Sequence, residues 1–139
     1  MLASKSIYKR TFLLGLTAAL LTSCGSNPDK KAAASKAESF IQTYYAQDDV
    51  AKSIQYTTGP LKAKLTKEAA SIKASGMTEP SSEKPKLTVE NKTIMKYTDT
   101  TYAMTWTLKS SMGENLKADL QIEKTGSDWL VSSLVENYK

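Results

Sequence analysis

The sequence predicts an α+β domain: three N-terminal helices packed on a curved four-stranded antiparallel meander, a cone-like roll. Two patterns carry that prediction. Apolar residues recur at helical spacing from Ala33 to Ile72, and from Lys86 onward they alternate with a period of two. Length supplies the third observation. A chain of 139 residues suits one domain, and no repeat of the kind that builds solenoids is present.

The first helix is expected from about Pro28 to Gln47, with Ala33, Ala37, Phe40, Ile41, Tyr44 and Tyr45 on one stripe. Asn27 before Pro28 suits an N-cap followed by a proline in the first turn. Asp48-Asp49 marks a break and a new cap. A short helix to about Tyr56 follows, with Val50, Ala51 and Ile54 inward. Thr57-Thr58-Gly59 is a turn, and Pro60 opens a third helix with the stripe Leu61, Leu65, Ala69, Ile72. Gly76 closes it. Met77 to Pro85 is a loop.

Four strands follow. Leu87, Val89, Asn91, Thr93, Met95 and Tyr97 alternate with mostly polar residues. Tyr102, Met104, Trp106 and Leu108 line the second strand. A turn centred on Gly113 leads to Leu116, Ala118, Leu120 and Ile122, which face one way while Lys117, Asp119, Gln121 and Glu123 face the other. After the turn Thr125–Asp128, the last strand, Trp129–Tyr138, is apolar on both faces and is expected to be the best covered.

This order resembles the nuclear transport factor two-like superfamily, with its cystatin-like α+β roll. The residues that carry the likeness are Phe40-Ile41-x-x-Tyr44-Tyr45-x-x-Asp48, the short helix Ala51–Tyr56, and Gly126-x-Asp128-Trp129-x-Val131 at the end of the meander. Within it, the chain is similar to the small, lumazine-binding-like bacterial lipoproteins. The resemblance spans about residues 30–138 and implies a fold. Fold alone does not supply a function.

The first 23 residues read as an address. Lys5, Lys9 and Arg10 form a positive start with no acid, and Phe12–Leu21 is an apolar run. That run is about half the ~20 residues a spanning helix needs, so it reads as a signal-peptide core. Leu21-Thr22-Ser23-Cys24 follows and resembles the bacterial lipobox. The resemblance implies cleavage between Ser23 and Cys24, a diacylglyceryl thioether on the Cys24 sulfur, and acylation of the new amino group. Two or three acyl chains, at roughly 0.8 kcal/mol per buried CH₂, hold a protein on a leaflet. The organisation expected is therefore residues 1–23 as a removed signal, 24–31 as lipidated cysteine and tether, and 32–139 as a single domain outside the cytoplasm. Gly25 points to the outer membrane in a host with two membranes, where Asp at that place resembles an inner-membrane retention signal.

Composition narrows the chemistry. The net charge of +5 falls to +2 without the signal, leaving 16 basic and 14 acidic residues. Arg10 is the only arginine, so the domain lacks the bidentate fork favoured for phosphate and base edges. Nucleic acid is not an expected partner. There is no histidine and one cysteine, which excludes His-based triads, His-ligated metals, multi-Cys metal sites and an internal disulfide. No cofactor or metal is expected.

The superfamily includes isomerases and hydratases that use a carboxylate base, but Asp48, Asp99, Asp119 and Asp128 read as otherwise engaged. Asp48 looks like a helix cap, Asp99 and Asp128 sit in turns, and Asp119 lies on the solvent side of its strand. Ser81-x-x-Lys84 with Lys124-Thr125-Gly126 matches pieces of the penicillin-recognising acyl-enzyme motifs, without the Ser-Asp-Asn element and in the wrong elements. Chance accounts for the pair. Lys62, Lys64, Lys67 and Lys73 around Glu68 read as a solvated helix face. The aromatics remain. Phe40, Tyr44, Tyr56, Tyr102, Trp106 and Trp129 either fill the core or line a cone suited to a small apolar ligand. The function expected is a non-enzymatic, membrane-anchored binding domain for another envelope component, acting in an accessory, exclusion- or immunity-like way. A small apolar ligand carrier is the alternative, followed by an isomerase- or hydratase-like enzyme.

Overall fold

The computed structural model describes residues 27–76, 87–111 and 113–138. The signal expected over residues 1–23, with Ser23 at its cleavage point, Cys24 and the start of the expected tether, the loop expected over Met77–Pro85 and the Ser81–Lys84 motif lie outside the described residues. The chain is α+β, as its patterning predicts: helices first, then an antiparallel sheet.

Helix α1 (Pro28–Ile41) begins as its cap residues dictate. Asn27 Oδ1 accepts the Asp29 N–H at 3.0 Å, and Pro28 occupies the first turn, where its missing donor costs nothing. Ala33, Ala37, Phe40 and Ile41 are buried. The two alanines, one turn apart, let the helix lie close to the sheet.

The helical region does not divide into three plain helices. After Ile41 the backbone widens into a π-turn over Gln42–Ala46, so the helix expected to reach Gln47 has two backbone geometries. Asp48 then adopts φ +52°, left-handed backbone that a residue other than glycine rarely takes. The cap expected from Asp48 is supplied by Asp49, whose Oδ1 accepts the Lys52 N–H at 2.8 Å and starts the single turn α2 (Val50–Ser53). A 3₁₀ turn, Ile54–Tyr56, follows. Ala51, expected inward, is exposed. Ser53 is buried instead, its hydroxyl donating to the Val50 carbonyl at 2.7 Å. The four-residue helix is too short to keep a regular stripe. In α3 (Gly59–Ala74), Leu61 and Leu65 are buried while Ile72, expected on the same stripe, is 39% exposed, because the last turns run past the core. Gly76, at φ +65°, closes the helix.

Strands β1 (Leu87–Thr98), β2 (Thr101–Ser110), β3 (Asn115–Thr125) and β4 (Asp128–Tyr138) pair antiparallel in sheet order β1-β2-β3-β4. A single parallel bridge, Thr57 to Val131, adds a one-residue lane beside β4, where Thr58 N–H donates to the Val131 carbonyl at 2.9 Å. The inner face carries Tyr102, Met104, Trp106 and Leu108 of β2, Leu116, Ala118, Leu120 and Ile122 of β3, and Trp129 and Val131 of β4, all buried against the helices.

Two strands depart from the expected pattern. In β1 the register slips between Val89 and Asn91, which leaves Glu90 as an extra residue. A bulge of one residue reverses the facing of everything beyond it. Ile94 therefore pairs with Met104 on the inner face, while Met95, paired with Ala103, turns outward and is 61% exposed. Tyr97, expected on the Leu87 face, is 73% exposed. The last strand is not the best covered either. It is the sheet's other edge, its register slips at Ser132, and Val135 is 55% exposed. The helices protect only its first half.

Candidate functional site

The six aromatics singled out by the sequence separate into two groups. Phe40, Tyr102, Trp106 and Trp129 are at most 2% exposed and belong to the core, with the Tyr102 and Trp129 rings 5.2 Å apart. Tyr44 and Tyr56 are half-buried at its margin. Trp106 Nε1 is buried without a hydrogen-bond partner among the described residues, and Lys92 Nζ sits 5.3 Å over its ring.

An open groove of about 210 Å³ lies where the π-turn, α3 and the end of β4 meet. Of the six expected aromatics it uses only Tyr44. Tyr44 and Tyr45 come from the π-turn, Asp48 and Val50 from the segment after it, Glu68 from α3, and Glu136 and Tyr138 from β4. The rings are held in place. Tyr44 stacks on Phe40 at 5.3 Å and 10°, and Tyr45 stands edge-on to Tyr44 at 4.8 Å and 83°. The Tyr45 hydroxyl donates to Glu136 Oε1 at 2.5 Å, which joins the π-turn to the last strand across 91 residues.

The groove is electronegative. Burial, then the charges of Glu68 and Glu136, push the Tyr44 phenol well above its ordinary range. Burial, then the hydrogen bond to Glu136, does the same at Tyr45. Burial raises Tyr138 too, helped by Glu136 and Glu114. All three tyrosines therefore stay neutral across the physiological range and keep intact π faces and hydroxyl donors. Asp48 and Glu68 have no hydrogen-bond or ion-pair partner among the described residues, and Glu136 has the Tyr45 hydroxyl alone. Elsewhere Asp29, Glu38, Glu90, Asp99, Asp119 and Asp128 each lie within ion-pair distance of a lysine. No group of residues suited to a metal ion occurs among the described residues.

The groove sits at one end of the domain. At the other end, Lys124 Nζ of β3 reaches Asp29 Oδ1 in the first turn of α1 at 3.1 Å, and the Lys124 N–H donates to Thr100 in the β1–β2 turn at 2.9 Å. The 14 residues of α1, at about 1.5 Å each, separate the ends by on the order of 20 Å. The groove residues are 94 positions apart at the extremes, Tyr44 and Tyr138, so helix or strand periodicity could not bring them together. The adjacent pair Tyr44-Tyr45, unable to point inward together, was the one local signal.

No known family model matches the chain, and no curated protein matches its sequence. Among the described residues, no helix is long and apolar enough to cross a membrane.

Proposed function

We propose that this chain is a lipid-anchored, extracytoplasmic binding domain, without catalytic activity of its own, that holds another envelope protein at its groove end in an accessory, exclusion- or immunity-like role. Its helices close a curved sheet into a roll of the nuclear transport factor two-like kind, and Cys24 carries the lipid. One observation supports the reading above the others. The groove lies at the end of the domain remote from Pro28, where the chain enters it, so an anchor at Cys24 leaves the groove pointing away from the bilayer. Cys24 and Pro28 are four positions apart, a reach of at most about 14 Å. The tether end is thus pressed to the surface and the groove end is free.

The test is site-specific photocrosslinking of the full-length protein in its own cells. A crosslinker at Tyr138, on the groove lip, is expected to give one discrete adduct whose mass spectrum identifies an envelope protein. The same group at Tyr97 is expected to give none. Cys24→Ala should abolish both membrane fractionation and the adduct. Absence of any discrete adduct at Tyr138 in the anchored protein overturns the reading.

A further inference from the structure

We infer that the groove receives a single cationic side chain, a lysine ammonium or arginine guanidinium, presented by the partner protein. This rests on the binding-domain reading above and names what that partner must offer.

Three features of the groove converge on a cation. Three tyrosines, Tyr44, Tyr45 and Tyr138, line its cavity together with the carboxylates, and a cation within about 6 Å of an aromatic face is attracted by the ring quadrupole. Its rim carries Asp48, Glu68 and Glu136 from three separate elements, none with a cationic partner among the described residues. The chain uses the same chemistry on itself. Lys36 lies 5.9 Å over Tyr56 and pairs with Asp128, Lys92 lies over Trp106 and pairs with Glu38, and Lys124 lies 5.7 Å over Trp129 and pairs with Asp29. Each of these sites joins one ring, one carboxylate and one lysine from different elements. Among the described residues the groove has the rings and the carboxylates and no lysine. Its volume of about 210 Å³ holds one long side chain and not a folded segment. A divalent metal fits less well, since the three carboxylates do not converge as a ligand set.

The experiment titrates the full-length lipidated protein in detergent micelles, with tyrosine rings labelled for NMR. The probes are N-acetyl-lysine methylamide, N-acetyl-arginine methylamide and the neutral, near-isosteric citrulline analogue. The two cations are expected to move the Tyr44, Tyr45 and Tyr138 ring signals and leave Tyr97 in place, and the neutral probe to bind about tenfold more weakly. Glu68→Gln and Glu136→Gln should each weaken cation binding about two- to fivefold, while Glu114→Gln in the β2–β3 turn should not. Equal binding of the neutral probe, or no movement of the groove tyrosines with either cation, overturns the inference. If a crosslinked partner is found at Tyr138 and the cations do not bind, the cationic occupant falls and the binding-domain reading stands. If the cations bind and no partner is captured, the protein-borne side chain falls with that reading.

Discussion

Lys36 Nζ lies 3.0 Å from Asp128 Oδ1 and 3.1 Å from Oδ2, fastening the middle of α1 to the start of β4 across 92 residues. Tyr45, in the π-turn that continues α1, and Glu136, near the end of β4, make a second fastening. The first helical segment and the edge strand are therefore joined at two points, one at the middle of α1 and one inside the groove.

The first pair sets a dependence on acid. The Lys36 hydrogen bond holds the Asp128 carboxyl below its ordinary value. A depressed carboxylate adds stability that is present above its unfolded pKa, near 4, and is lost as pH falls through the lower folded value. Both side chains are partly exposed, so the contribution is small, about 0.2–1 kcal/mol. Urea unfolding of Asp128→Asn should show that loss at pH 7 and converge on the parent at pH 2. Equal stability of the two at pH 7 would show the pair to be idle.

The second pair sets a dependence on alkali. A phenol raised by folding contributes stability that is present below its unfolded pKa, near 10, and lost as pH rises above it. Stability should therefore fall from about pH 10 upward, and the 295 nm phenolate absorbance of Tyr44 and Tyr45 should appear only with unfolding. Tyr45→Phe leaves Glu136 half-buried without its donor and should cost about 1–3 kcal/mol at pH 7. An unchanged urea midpoint would contradict the role given to this hydrogen bond.

Phe40 is fully buried and supports the Tyr44 ring from beneath. Phe40→Ala should cost about 3–5 kcal/mol. Phe40→Leu keeps most of the volume and should be milder, while releasing the Tyr44 ring. Its signature is a folded protein whose Tyr44 NMR signal broadens or shifts.

Asp48 separates stability from binding. Its φ of +52° is strained for aspartate and easy for glycine. Asp48→Gly is expected to raise stability by up to about 1 kcal/mol while weakening cation binding in the groove. A thermal midpoint that falls would remove the strain argument.

The start of α1 and the end of α3 were legible because short-range chemistry decides them. Asn27 and Pro28 start α1, and Gly76 finishes α3, through contacts within a few residues. The inner stripe of β3 was legible because that strand has no bulge between Leu116 and Leu120. Facing in β1 was not, since the extra residue at Glu90 has no mark in composition and exchanges Met95 for Ile94. Asp48 and Asp49 show the same limit. Either could cap α2, and the widened turn before them decides which. The groove was least legible of all. Glu68 looked like one acid among helix-surface lysines, and Glu136 and Tyr138 lay in a strand expected to be well covered, with nothing to mark them as part of a site. Only the approach of three elements gives them a common role.

The bulge at Glu90 bears on what neighbouring copies do to one another. A lipid-anchored population is confined to a plane, where domains meet side-on far more often than in free solution. An unbroken outer strand would then offer each neighbour a ladder of unpaired amides and carbonyls, the geometry from which edge-to-edge aggregates grow. Strand β1 slips register near both ends, and between the slips Lys92 and Lys96 flank Ile94. On the lipid anchor proposed above, the edge that crowding would expose most is interrupted and lined by lysines, which would keep the domains as separate neighbours.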